Sequence, residues 1–328
     1  MTPDEIRDLV RQAADLGAHN VVFTGGEPTL LGKELPVLLR FIRDEAGIAS
    51  TRLVTNGLWA TSYAVARRLL AGWQEAGLVE LNISCGEYHQ EFVPLERVVH
   101  AWRAARDLDY ATVLLAGEFT ADGQGRTTPD VIRRAIGEPL PPPELASPFA
   151  RRVRGLSCGA AMNYGRGLKE LSPALLRHQS EERIPSRCTD LLSAITCHPH
   201  GRVTACCGIM VRDDSLLTIG DWRQERLRPL LEAAHDDLIL NWIRYLGLKD
   251  MKAWLRRKDP SLAQRTEYIS ICDLCADLIY DPRSRAILLE HGEERRGDIL
   301  AARLALQATV DEPERFTYAV AMSEKGTP

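Results

Sequence analysis

Six of the chain's eight cysteines, Cys188, Cys197, Cys206, Cys207, Cys272 and Cys275, fall in one stretch. Thiols gathered this way in a long chain of ordinary composition point to metal ligation before they point to disulfides. Residues 195–206, Ile-Thr-Cys-His-Pro-His-Gly-Arg-Val-Thr-Ala-Cys, read as a hairpin with Pro199-His200-Gly201 at its turn, which draws its ends together. Cys272-Asp273-Leu274-Cys275 adds two thiols within reach of one centre. Four thiolates meet the needs of a structural zinc or of a cubane iron–sulfur cluster. Zinc could also recruit His198 or His200, and the bland alternative is a set of unliganded buried cysteines.

A second constellation lies nearer the start. Val21-Val22-Phe23-Thr24-Gly25-Gly26-Glu27-Pro28 is an apolar strand ending in two glycines, a carboxylate and a proline. The glycines allow close backbone approach to a ligand, Pro28 limits the turn, and Glu27 can accept hydrogen bonds from an ammonium group. Taken alone it reads first as a glycine turn followed by a solvated acid. Thr55-Asn56-Gly57 and Ser84-Cys85-Gly86-Glu87-Tyr88-His89 then close the next two strands. Asn56 could instead cap the following helix, and His89 could hydrogen-bond its own loop. Cys85 suits a small buried residue, and Cys158 suits the core or the edge of the site. The run lacks the Gly-x-Gly-x-x-Gly spacing of a dinucleotide site.

The elements that must position these groups alternate regularly. Thr2-Pro3-Asp4-Glu5 opens a helix with a capping box, and Ile6, Leu9, Val10, Ala13 and Leu16 recur at helical spacing before Gly17 ends it. Strands are expected at 20–24, 51–55, 79–84, 111–116 and 152–157, and helices at 33–45, 62–76, 95–107 and 129–136. This α/β alternation implies a parallel sheet with right-handed crossovers, open or part of a barrel, whose ligands sit at the carboxyl ends of the strands. Residues 139–148 form a proline-rich surface segment. Beyond about 171 the alternation gives way to cysteines, a hairpin and long helices. Three regions are therefore expected: 1–170, a cysteine-rich α+β extension over 171–280, and a helical tail over 281–328 that frays after Pro313. Trp242, Tyr245 and Trp254 suit packing.

The bulk properties exclude several classes. The 328 residues carry 41 basic and 45 acidic side chains, a net charge of -4, so no basic excess calls for nucleic acid. The longest apolar stretches fall short of a bilayer span and the start is not a secretory leader, which implies a soluble cytoplasmic protein.

On these motifs the first 170 residues resemble the radical S-adenosylmethionine (SAM) superfamily. Thr24 to Pro28 is similar to its methionine-amino-group motif, 53–57 to the following strand, 81–84 to the strand whose polar end helps hold SAM, and His89 with Phe92-Val93-Pro94 to a stretch in many members. The resemblance implies a partial (β/α) barrel whose first strand is missing. It also implies that Gly25, Gly26, Glu27 and Pro28 bind the methionine end of SAM, that Ser84 contacts its ribose or carboxylate, and that Thr55, Asn56 and His89 are weaker contacts. In that family three cysteines spaced Cys-x-x-x-Cys-x-x-Cys hold the [4Fe-4S] cluster that cleaves SAM to a 5'-deoxyadenosyl radical. Here Met1 directly precedes the helix cap, so that loop is expected to be absent and the chain inactive as written. A misassigned start or a truncated chain ranks above a degenerate relative.

The later cysteines resemble the SPASM or twitch extension of such enzymes, which implies one auxiliary [4Fe-4S] cluster with Cys188, Cys206, Cys272 and Cys275 as its best ligand set. Cys207 stands equally well for Cys206, and Cys197 is an extra thiol. The resemblance implies hydrogen-atom abstraction from a peptide or protein side chain, with ferredoxin or flavodoxin as reductant and no nucleic acid or membrane partner. The rival reading is a noncatalytic protein that binds a peptide or partner and uses metal only to fold its extension.

Overall fold

The computed structural model describes residues 1–120, 122–143, 152–159, 161, 175–207, 215–262 and 265–308, and the backbone alone over 316–322. The expected boundary at 170–171, part of the proline-rich segment and the start of the frayed tail lie outside these residues. The chain divides into two units, Met1–Arg177 with Val320–Pro328, and His178–Ala319.

The first unit is built by repetition. Helix α1 (Pro3–Asp15) begins with both halves of its capping box made, Thr2 accepting from the Glu5 amide and Glu5 from the Thr2 amide, and buries Ile6, Leu9, Val10 and Ala13. Strand β1 (Ala18–Gly25), helix α2 (Glu34–Asp44), β2 (Ser50–Thr55), α3 (Tyr63–Ala76), β3 (Glu80–Ser84), a single turn α4 (His89–Phe92), α5 (Leu95–Asp107), β4 (Thr112–Glu118), α6 (Pro129–Ile136) and β5 (Val153–Gly159) follow. The five strands pair in sequence order, all parallel, with Phe23 beside Leu53, Thr55 beside Ile83, Ser84 beside Ala116 and Glu118 beside Gly159. Side chains alternate along β2, β3 and β4, and the helices bury apolar faces such as Leu35, Leu38, Leu39 and Ile42 of α2. This is a partial (β/α) barrel with every strand end at one edge.

In the second unit, β6 (Gln179–Ser180) pairs antiparallel with β10 (Glu267–Tyr268). The expected hairpin is β7 (Ala194–Cys197) and β8 (Arg202–Thr204), with Thr196 opposite Thr204, and β9 (Thr218–Asp221) adds to it. Gly201 takes a left-handed φ of 107° at the turn. Helices α7 (Leu227–Asp236), α8 (Leu238–Asn241), a π-turn (Trp242–Leu246), α9 (Leu248–Lys258), α10 (Ile271–Tyr280), α11 (Pro282–His291) and α12 (Arg296–Gln307) complete it. Trp242, Tyr245 and Trp254 are buried, as their packing role requires. The helices after residue 280 place Leu288 and Ile299 in this same core.

Candidate functional site

At the end of β1 the chain turns through Gly25, whose φ of 106° suits glycine. It then enters a one-turn helix at Pro28–Leu31. Glu27 joins two strand ends. Its Oε1 accepts from the Thr29 amide at 3.1 Å, the Thr29 hydroxyl at 2.6 Å and the Thr55 hydroxyl at 2.7 Å. Among the described residues its Oε2 accepts only from the Asn56 amide, at 2.8 Å. Thr55 Oγ1 in turn accepts from Trp59 Nε1 at 2.9 Å and the Gly57 amide at 3.2 Å. Glu27 is therefore no solvated acid: Oε1 is saturated by the protein, and Oε2 keeps the remaining lone-pair capacity. Asn56 does not cap α3. Its Oδ1 accepts from the Leu58 amide, and Ser62 caps the helix instead.

Ser84 ends β3 half-buried, and Cys85 behind it is fully buried, its thiol pushed up by burial. His89 bonds nothing in its own loop through Nδ1. Among the described residues that buried nitrogen has no hydrogen-bond partner, and it stands 3.7 Å from Glu118 Oε2. Glu118 was not among the sequence candidates, because β4 and β5 each run two residues further than their apolar runs indicate. A polar residue directly after an apolar strand and glycine was the available signal. Gly86 makes room for it, since a Cβ there would lie 2.4 Å from the Glu118 amide nitrogen and 2.6 Å from Oε2. Cys158 is exposed at the end of β5, at the edge of the site and not in the core.

In the second unit five of the six candidate cysteines, Cys188, Cys206, Cys207, Cys272 and Cys275, line one cavity of about 60 Å³ with Tyr280. Cys197 is not among them. It faces Val203 across the hairpin, fully buried, and burial pushes its thiol up to about 12. His198 and His200 do not line the cavity either. His198 meets Thr204 Oγ1 at 3.3 Å, and His200 accepts from Arg202 at 3.0 Å.

The five thiols share the lining of that one cavity. A thiol contact with Cys207 and burial raise Cys272, and burial raises Cys275, so these thiols resist ionising unless a cation joins them. Cys188 is raised by burial, while the amides of Leu191 and Asp190 donate to its sulfur and favour the thiolate. Among the described residues no group of three or more His, Cys, Asp or Glu side chains is placed to hold a metal ion. The thiols surround a space instead.

Three comparisons bear on the chain. Residues 1–117 match the Radical SAM superfamily. The GTP 3',8-cyclase of Limosilactobacillus fermentum is 38% identical over 91 residues, 28% of this chain and 25% of that one. A probable GTP 3',8-cyclase of Pyrococcus horikoshii is 34% identical over 121 residues, 35% of this chain and 36% of that one. The chain thus spans about a quarter to a third of the length of these curated relatives. Among solved structures, a 2,3-dimethylmalate lyase of the PEP mutase/isocitrate lyase superfamily covers 39% of this chain and 49% of its own at 11% identity and a TM-score of 0.29, too distant to bear on the site. With its parallel strands, its strand-end glycines and the Glu27 network, the region of residues 1–117 belongs to the radical SAM superfamily.

Proposed function

We propose that the chain is part of a radical SAM enzyme that modifies a peptide or protein side chain, with SAM at the strand ends of the first unit and an auxiliary [4Fe-4S] cluster in the cysteine cavity of the second. SAM bound to a reduced cluster on a Cys-x-x-x-Cys-x-x-Cys loop, distinct from the auxiliary cluster and supplied by a segment beyond this chain, would supply a hydrogen-abstracting radical. The chain's own residues have definite tasks in this reading. Gly25 and Gly26 admit the methionine end, and Glu27 Oε2, aimed by the Thr55 and Asn56 contacts, accepts from its ammonium group. Pro28 fixes the turn, while Ser84 and His89 line the neighbouring strand end.

The donor set of the second unit fits a cluster. A cavity of about 60 Å³ is several times the ~10–15 Å³ that houses one water, so it suits a polyatomic group better than a bare zinc ion. Cys188, Cys206, Cys272 and Cys275 would hold it, with Cys207 alongside and Cys197 set apart. A ferredoxin or flavodoxin would act as reductant.

The observation that carries the substrate class is the character of the strand-end rim. Among the described residues, the ends of β1–β4 and the loops that follow carry Glu27, Glu87, Glu91, Glu118 and Asp122 against Lys33 and Arg126. Three apolar side chains stand exposed there, Leu30 at 85%, Phe92 at 64% and Leu58 at 49%. An acidic and apolar rim repels a triphosphate and suits a peptide that brings apolar and basic side chains. The second reading, a nucleotide substrate, is favoured by the relatives named GTP 3',8-cyclase. Calorimetric titration separates them. SAM should bind the wild type and bind Glu27→Gln at least tenfold more weakly, and a basic, apolar peptide should bind where GTP does not. A wild type without SAM affinity would favour the noncatalytic binding protein, and GTP binding would favour the nucleotide reading.

A further inference from the structure

We propose that Glu118, at the end of β4, is the residue by which the strand-end site selects its substrate, and that it takes the ammonium or guanidinium of a lysine or arginine side chain. The inference rests on the peptide reading and deepens it by naming the side chain that the site selects.

Strand register places Glu118. Val113 and Leu115 turn one face of β4 into the core, so Leu114, Ala116 and Glu118 share the opposite face. Ala116 pairs with Ser84, which puts Glu118 one step beyond that strand end. The chain after β3 continues the ladder, with the Cys85 amide donating to the Ala116 carbonyl at 2.7 Å and the Glu87 amide to the Glu118 carbonyl at 2.8 Å. Both positions beside Glu118 across the sheet are therefore glycines, Gly86 toward β3 and Gly159 toward β5. A Cβ on Gly86 would lie 2.6 Å from Glu118 Oε2, and among the described residues one on Gly159 would meet only the Gly117 carbonyl, at 3.8 Å. The carboxylate thus stands in a recess cleared of neighbouring side chains, with its own side chain 35% exposed.

No permanent cation answers it. Among the described residues its one ion-pair neighbour is His89, at 3.7 Å, which is charged only when protonated. The arginine of the following loop is committed elsewhere. Glu87 accepts from the Arg126 and Thr127 amides at 3.0 and 2.6 Å, and the Arg126 guanidinium lies 3.4 Å from Glu87 and 3.9 Å from Glu91. A part-buried carboxylate left this way gains from a ligand that brings a cation. Glu27 is three strands away, about 14 Å along the sheet, so one ammonium group cannot serve both acids. Phe92, exposed one helical turn beyond His89, offers apolar surface to the methylenes of a long basic side chain.

The test uses the full chain and short fluorescent peptides, acetylated and amidated, made of leucine, serine and glycine around one central residue. Anisotropy titration should show the lysine peptide binding the wild type at least fivefold more tightly than the norleucine peptide. Glu118→Gln should bind the two alike, and Glu118→Lys should prefer a glutamate peptide. Glu91→Gln, which removes an exposed acid of the same rim, should keep the lysine preference. Equal binding of both peptides by the wild type would overturn the proposal, as would a preference undiminished in Glu118→Gln or lost equally in Glu91→Gln. Tenfold weaker SAM binding by Glu118→Gln with the lysine preference intact would assign the carboxylate to SAM and overturn it too. A wild type that binds neither peptide would defeat the peptide reading itself, and the proposal with it.

Discussion

At Glu27 the two carboxylate oxygens have different duties, one committed to the protein and one with capacity left. Thr55 is the hub of that division, since its single hydroxyl donates to Glu27 and accepts from Trp59 and Gly57. Thr55→Val keeps the shape and deletes all three bonds, leaving buried donors unmatched. A loss of about 1–3 kcal/mol is expected in urea unfolding, along with weaker SAM binding although the side chain itself need not touch the ligand. His198 offers a pH handle in the second unit. Burial, with Arg202 and His200 nearby, lowers its imidazolium to about 4 from an ordinary 6.5. The unfolded chain therefore takes up a proton that the folded hairpin refuses. Stability from this group is whole above about pH 6.5 and is lost as pH falls toward about 4. The urea midpoint of the second unit should be lower at pH 5 than at pH 7.5, and His198→Gln should flatten the difference.

The elements of the first unit were largely legible because they repeat. Capping residues, helical spacing and glycine stops located α1, α3, α5 and α6 to within a residue of their observed ends. What escaped notice was local. The single turns at 28–31 and 89–92 follow from proline and loop geometry, and β4 and β5 continue past their apolar runs because strand pairing does not require apolar side chains. Glu118 was missed for that reason. The hairpin was readable from its turn, but the separation of Cys197 from the other thiols depends on strand register, since Cys197 pairs with Val203 and turns into the core. Helix α10 shows how one element sets a site. Asp273, between its two cysteines, is buried and anchors the helix start on Arg265. Asp273→Ala should cost about 2–3 kcal/mol, because it strands a guanidinium and a buried amide. It should also lower the iron retained per chain on gel filtration, where a purely surface change such as Glu267→Ala should not.

Across the whole molecule the two units divide the work. The first supplies a parallel sheet whose strand ends gather a carboxylate network, and no described helix is long and apolar enough to cross a membrane. The second supplies a thiol-lined cavity within its own core. Sequence could name six candidate ligands, yet only folding reduces them to five, because spacing cannot say which way a hairpin side chain points. The most direct test is to purify the chain without oxygen, supply iron and sulfide, and count metal and acid-labile sulfide. About four irons and four sulfides should bind through the second unit, fall at least fivefold in Cys188→Ala and Cys275→Ala, and stay unchanged in Cys197→Ala. Zinc in place of iron, no metal, or a loss in Cys197→Ala equal to that in Cys275→Ala would contradict the account.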